Sequence, residues 1–103
     1  MNINVLTPDR KIFQGEITSV KVPGTLGEFQ VLNNHAPIVS SLEAGKVTLV
    51  TGTGGFQIMD PDSKGFKEST ESGRKITFKI KAGFIEVLNN EISLLVRGVS
   101  DLV

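Results

Sequence analysis

The sequence contains no cysteine, no tryptophan, no tyrosine and one histidine, and its charges cancel, with 11 Lys plus Arg against 11 Asp plus Glu. Without cysteine there is no disulfide, no thiolate nucleophile and no sulfur ligand for zinc or an iron–sulfur cluster. One histidine cannot supply a multi-histidine metal centre. A net charge of zero removes the electrostatic drive for nonspecific binding to nucleic acid or to an anionic membrane surface, and there is no basic run to restore it locally. No window approaches the roughly 20 apolar residues that span a bilayer, so direct membrane insertion is not expected. The N-terminal stretch MNINVLTPDRKIF has neither a charged and then apolar leader nor the Arg and Ser richness of a transit peptide, which fits a cytosolic bacterial chain.

What is present is a turn-rich sequence of 103 residues, 39% of them apolar, with 11 Gly and 4 Pro. This is enough for one small core, so residues 1–103 are read as a single domain. A period of two runs through it. Ile76, Phe78 and Ile80 share one face of a segment whose other face carries Thr77 and Lys79. The same reading places Ile3 with Val5, Thr18 with Val20 and Val22, Val47 with Leu49, and Ile92 with Leu94 and Val96 opposite Glu91, Ser93 and Leu95. Turn chemistry separates these runs at Thr7-Pro8-Asp9, Pro23-Gly24, Asn33-Asn34, Ala44-Gly45, Gly54-Gly55 and Asn89-Asn90. Turns this short join antiparallel strands, and Asn89-Asn90 suits a two-residue hairpin because Asn tolerates positive φ. The expectation is an all-β fold, a small antiparallel β-sandwich or flattened barrel. A single helical turn fits only near Pro37 to Leu42. Residues 52–74 break the rhythm and are read as a long, partly mobile hairpin excursion.

Chemistry-bearing patterns are few. Asp60-Pro61-Asp62-Ser63-Lys64-Gly65 with Glu71 has carboxylates at the first, third and twelfth places of a calcium loop, but Lys64 stands where an oxygen ligand belongs, and a solvated turn explains the run better. Gly52-Thr53-Gly54-Gly55 lacks the Lys-Ser or Lys-Thr and the helix of a phosphate cradle, and reads as a glycine-containing loop. His35 as a general base would need a nucleophile and an orienting group, and nearby Ser40 and Ser41 are unsupported in that role. Glu28 and Glu43 have no spacing that fixes a catalytic pair. The residues alone describe a non-catalytic β module with no metal site and no cofactor.

Three ordered segments carry a more specific signal: Val20-Lys21-Val22-Pro23-Gly24-Thr25-Leu26-Gly27-Glu28-Phe29-Gln30-Val31-Leu32, His35-Ala36-Pro37-Ile38-Val39-Ser40-Ser41-Leu42, and Ala82-Gly83-Phe84-Ile85-Glu86-Val87-Leu88. With Thr7-Pro8 and Phe13-Gln14-Gly15-Glu16 before them, they resemble the N-terminal β-sandwich of the epsilon subunit of the rotary proton-translocating ATP synthase. Where that family usually has Gly after the Gly-Glu-apolar step and Pro-Gly before His-Ala-Pro, this chain has Gln30 and Asn33-Asn34. The resemblance implies a non-catalytic subunit of the central stalk, peripheral on the cytoplasmic face of the bacterial inner membrane. It would link the gamma subunit to the membrane rotor ring and couple proton flow to ATP synthesis. It implies interface residues at Gly24, Thr25, Leu26, Gly27, Glu28 and Phe29 for the ring, and at His35 with Ala36 and Pro37 near gamma. The family's C-terminal helical hairpin is expected to be absent, because Arg97 to Val103 would span only about 10 Å as a helix. The competing expectation is a ligand-binding β module, for carbohydrate or calcium, that uses the 52–74 excursion; the lack of Trp and Tyr weighs against carbohydrate.

Overall fold

The computed structural model describes residues 1–60 and 65–102. Among them are nine strands: β1 (Asn2–Leu6), β2 (Lys11–Gly24), β3 (Gly27–Leu32), β4 (Ile38–Leu42), β5 (Gly45–Met59), β6 (Phe66–Ser69), β7 (Lys75–Ile80), β8 (Ala82–Leu88) and β9 (Glu91–Arg97). Alternation dictates most of them. In β7, Ile76, Phe78 and Ile80 are buried while Lys79 is exposed; in β9, Ile92, Leu94 and Val96 are buried and Leu95 faces outward. Asn89 and Asn90 both take positive φ, 52° and 62°, and close the β8–β9 hairpin.

The two long strands make the sandwich. The second half of β2 pairs with β3 and with the first half of β5, which pairs in turn with β7. The first half of β2 pairs with β1 and with the end of β5, and this layer continues through β9, β8 and β4 on one side and β6 on the other. Each long strand therefore contributes to both layers, and the core lies between them, with Phe13 and Phe56 stacked at 5.3 Å inside it. The result is a β-sandwich and not a clean barrel.

Local composition misleads at four places. Pro37 to Leu42 is not a helical turn: Ile38 and Val39 are β-branched, and Ile38–Leu42 is a strand with a ladder to β8. The Gly52-Thr53-Gly54-Gly55 run lies inside β5 and is not a loop or turn. There β5 spends Gly52 to Gly55 opposite Glu16 alone, since Ile17 pairs with Thr51 and Gly15 with Phe56. This is an enlarged bulge, and it lets the strand pass from one layer to the other. The Glu16 carboxylate fills it, Oε1 accepting from Thr53 N (3.2 Å), Thr53 Oγ1 (3.3 Å) and Gly54 N (3.1 Å). A second register shift, between Ile17 and Ser19 opposite Thr51 and Val50, turns Thr18 outward while Ile17, Val20 and Val22 stay buried, so Thr18 does not share their face. Finally, β1 pairs parallel to β9 while pairing antiparallel to β2, so the ladder is not antiparallel throughout. The distance in sequence between β1 and β9 leaves room for a crossover that adjacent strands lack.

Candidate partner-contact surface

The proposed interface residues fall at the two ends of β3. At one end Gly24 pairs with Gly27 across a two-residue turn, Thr25-Leu26. Gly27 has φ +127°, which glycine adopts without strain. Gly24 must lack a side chain for a different reason: a Cβ would lie 2.7 Å from the Gly27 carbonyl and 2.8 Å from the Phe29 ring. That ring, half-buried, packs against the core and stiffens the hairpin. The tip is also tied to the chain around β4, Thr25 N donating to Ser41 O (3.2 Å) and Glu43 N to Pro23 O (2.9 Å). Leu26 is held up on this braced tip fully exposed, at 103% of its reference area. Behind it Glu28 Oε1 lies 3.9 Å from Lys21 Nζ, with both side chains about half exposed. Such a pair contributes little to stability, so either charge can exchange its partner at low cost.

At the other end, roughly 20 Å away along six extended residues, the chain turns through Asn33 to Pro37. Asn34 takes φ 64°, the left-handed conformation that a glycine would otherwise supply. His35 is half-buried. Its backbone N donates to Leu32 O (3.1 Å), and its ring Nδ1 lies 2.7 Å from the Ala36 carbonyl. A carbonyl only accepts, so Nδ1 carries a proton and donates it to Ala36 O. Ala36 and Pro37 are exposed. The structure thus separates the Gly24–Phe29 group from the His35–Pro37 group and makes two surfaces of them.

The geometry offers no catalytic assembly here. Ser40 Oγ donates to Ser41 O (3.1 Å), and the His35 ring is engaged with Ala36, so no nucleophile–base hydrogen bond joins them. Among the described residues, no three His, Asp or Glu side chains gather as a metal set. The calcium-loop reading falls largely on residues 61–64, outside the described residues; of its flanks, Asp60 pairs with Lys67 at 3.4 Å. Among the described residues no helix is long and apolar enough to cross a membrane.

Sequence reasoning did not single out a further surface on the outer face of β8, β9 and β1. Phe84 pairs with Leu95, and Leu95 with Leu6, in one cross-strand row. Phe84 and Leu95 are exposed, and a cleft of about 380 Å³ lies beside them, lined by Leu6, Pro8 and Arg97 among others. The signal was a leucine on the polar side of β9, which alternation alone marks as out of place.

Residues 1–60 match the family described as ATP synthase, Delta/Epsilon chain, beta-sandwich domain. An ATP synthase epsilon chain from Chlorobaculum tepidum is 37% identical over 98 residues, covering 95% of this chain and 90% of the relative. One from Caulobacter vibrioides is 37% identical over 70 residues, covering 60% and 81%. Among solved structures, the Euglena gracilis mitochondrial ATP synthase (OSCP/F1/c-ring) contains a chain that superposes with a TM-score of 0.70 at 18% identity; the match covers 95% of this chain and about half (51%) of that one. A chain of the Tetrahymena thermophila mitochondrial ATP synthase central stalk and c-ring gives 0.64 at 15% identity, covering 98% of this chain and 66% of that one. At such identities these two likenesses show the fold.

Proposed function

Since this chain belongs to the delta/epsilon-chain family of ATP synthase, we propose that it is the epsilon subunit of the central stalk. In this role it links the gamma subunit to the membrane rotor ring, couples proton flow to ATP synthesis and performs no catalysis itself. It sits at the cytoplasmic face of the bacterial inner membrane, held there by its partners. The observation that supports this reading is that the Gly24–Phe29 tip and the His35–Pro37 turn lie at opposite ends of β3, and a connector needs two surfaces on one body. The ring meets the Leu26 tip with Glu28 behind it, and gamma meets the His35–Pro37 turn. A sandwich closed by long shared strands suits the task, because torque passes through it only if it does not shear.

Copurification tests this. Tagged at low expression in its native host and extracted in mild detergent, the chain should return with the gamma subunit and the ring in constant ratio. Recovery as a free protein under conditions that keep the rest of the synthase intact would contradict it.

A further inference from the structure

β6 ends its layer: it pairs with β5 on one side, and among the described residues no strand lies on the other. The open edges of β3 and β4 adjoin the Gly24–Phe29 tip and the His35–Pro37 turn, and β7 is bridged to Ser100, so β6 is the edge that stands apart. The ladder fixes which groups it turns outward. Asp60 N donates to Gly65 O (2.8 Å), one register step beyond the pair Met59 and Phe66. Bonded and unbonded pairs alternate in an antiparallel ladder, so Lys67 and Ser69 bond to β5 while Phe66 and Glu68 aim their N–H and C=O away from it. Those four backbone groups form a template for one more strand.

The edge is held in place. Beyond Ser69 the chain is tied back to β5, Glu71 N donating to Ser69 Oγ (3.1 Å) and Thr51 Oγ1 to Glu71 O (2.8 Å). Gln57 Nε2 donates to Glu68 Oε1 (2.9 Å), and Lys11 Nζ lies 5.2 Å from the centre of the Phe66 ring, which is 50% exposed. An edge braced in this way needs little further ordering when a partner pairs with it.

Side chains choose the partner. Phe66 and Glu68 lie opposite Met59 and Gln57, whereas Lys67 lies opposite the buried Ile58, with its ammonium 3.4 Å from Asp60 and its side chain 70% exposed. A lysine on the core side of an edge strand repels a plain apolar strand and favours one with a carboxylate opposite. A second copy of β6 does not meet this requirement: the register that engages Phe66 and Glu68 of both copies sets Lys67 against Lys67. We propose that β6 takes up an antiparallel extended segment of another polypeptide. In that segment's own chain order, the residues opposite Glu68, Lys67 and Phe66 are basic, acidic and aromatic. The proposal does not depend on the contacts at the ends of β3.

The test uses the full chain with a capped peptide that carries Arg-Glu-Tyr between flanking Thr and Val residues. It should bind saturably, shift the amide signals of Phe66 and Glu68 and slow their hydrogen exchange, while the Lys67 amide, already bonded to β5, keeps its exchange rate. A peptide with Arg-Lys-Tyr should bind about threefold more weakly, the size of an exposed ion-pair effect, and Lys67→Glu should reverse that preference. N-methylation at the peptide's Arg or Tyr removes a bond to the edge and should weaken binding roughly fivefold or more. N-methylation at its Glu, whose N–H points away from the edge, should change little. The N-methyl series keeps the test decisive if Lys67→Glu disturbs β6. Equal sensitivity to N-methylation at all three residues, amide shifts confined to other strands, no saturable binding, or self-association of the chain through β6 would each overturn the proposal.

Discussion

Asn34 and Asn90, 56 residues apart, exchange two hydrogen bonds: Asn34 N donates to Asn90 Oδ1 (2.7 Å), and Asn90 Nδ2 donates to Asn34 Oδ1 (3.0 Å). Both take positive φ, 64° and 62°. Asn90 O also accepts from Asn2 N (2.9 Å), so the β3–β4 turn, the β8–β9 hairpin and the chain start are joined at one point. The turn that carries His35–Pro37 is tied to the β8–β9 hairpin by a contact that its own sequence does not contain.

The clasp predicts an order of stabilities. Asn34→Gly keeps the backbone conformation and loses one side-chain hydrogen bond, which should cost about 1 kcal/mol. Asn34→Ala loses the same bond and forces a residue with a Cβ into the left-handed region, adding roughly 1 kcal/mol more. Urea denaturation should rank wild type above Asn34→Gly above Asn34→Ala at unchanged slope.

A second prediction concerns the core beside the bulge. A Cβ at Gly15 would lie 2.4 Å from Phe56 Cβ and 2.7 Å from Gly55 O, both on the strand paired with it. Neither backbone can withdraw without parting β2 from β5 or separating the Phe13–Phe56 stack. Gly15→Ala should therefore destabilise the fold by about 2–3 kcal/mol, the upper range for overpacking. Thermal unfolding checks it; a change under about 0.5 kcal/mol would mean the strands can shift.

The third separates folding from contact. Leu26 touches nothing at the braced tip, so Leu26→Ser should change stability by less than about 0.5 kcal/mol. In the assembled synthase the same change should lower retention of the chain on the membrane ring, measured by salt washing of membranes. Equal retention would remove Leu26 from the contact.

How much of this was legible beforehand depended on the range of the information. The alternation of Ile76, Phe78 and Ile80 and the Asn89-Asn90 turn are local, and both stand as read. Gly52 to Gly55 reads locally as a loop, because the group that turns it into a strand bulge is Glu16, on another strand. The parallel β1–β9 pairing joins opposite ends of the chain, and nothing near either strand announces it. The two segments proposed for contact are recognisable in the sequence, while the distance between them is not. The count of extended residues between Gly27 and Leu32 sets it, and only the strand ladder makes that distance real.

The most direct test of the connector account is charge reversal at Glu28, whose carboxylate has, among the described residues, only the loose Lys21 contact to lose. With Glu28→Lys, the melting temperature and strand spectrum of the isolated chain should be unchanged within error. ATP-driven proton pumping by membranes reconstituted with it should fall by roughly threefold or more, as for a charge that meets its partner across an interface. Full pumping and normal assembly with Glu28→Lys in place would contradict the assignment of this end of β3 to the ring.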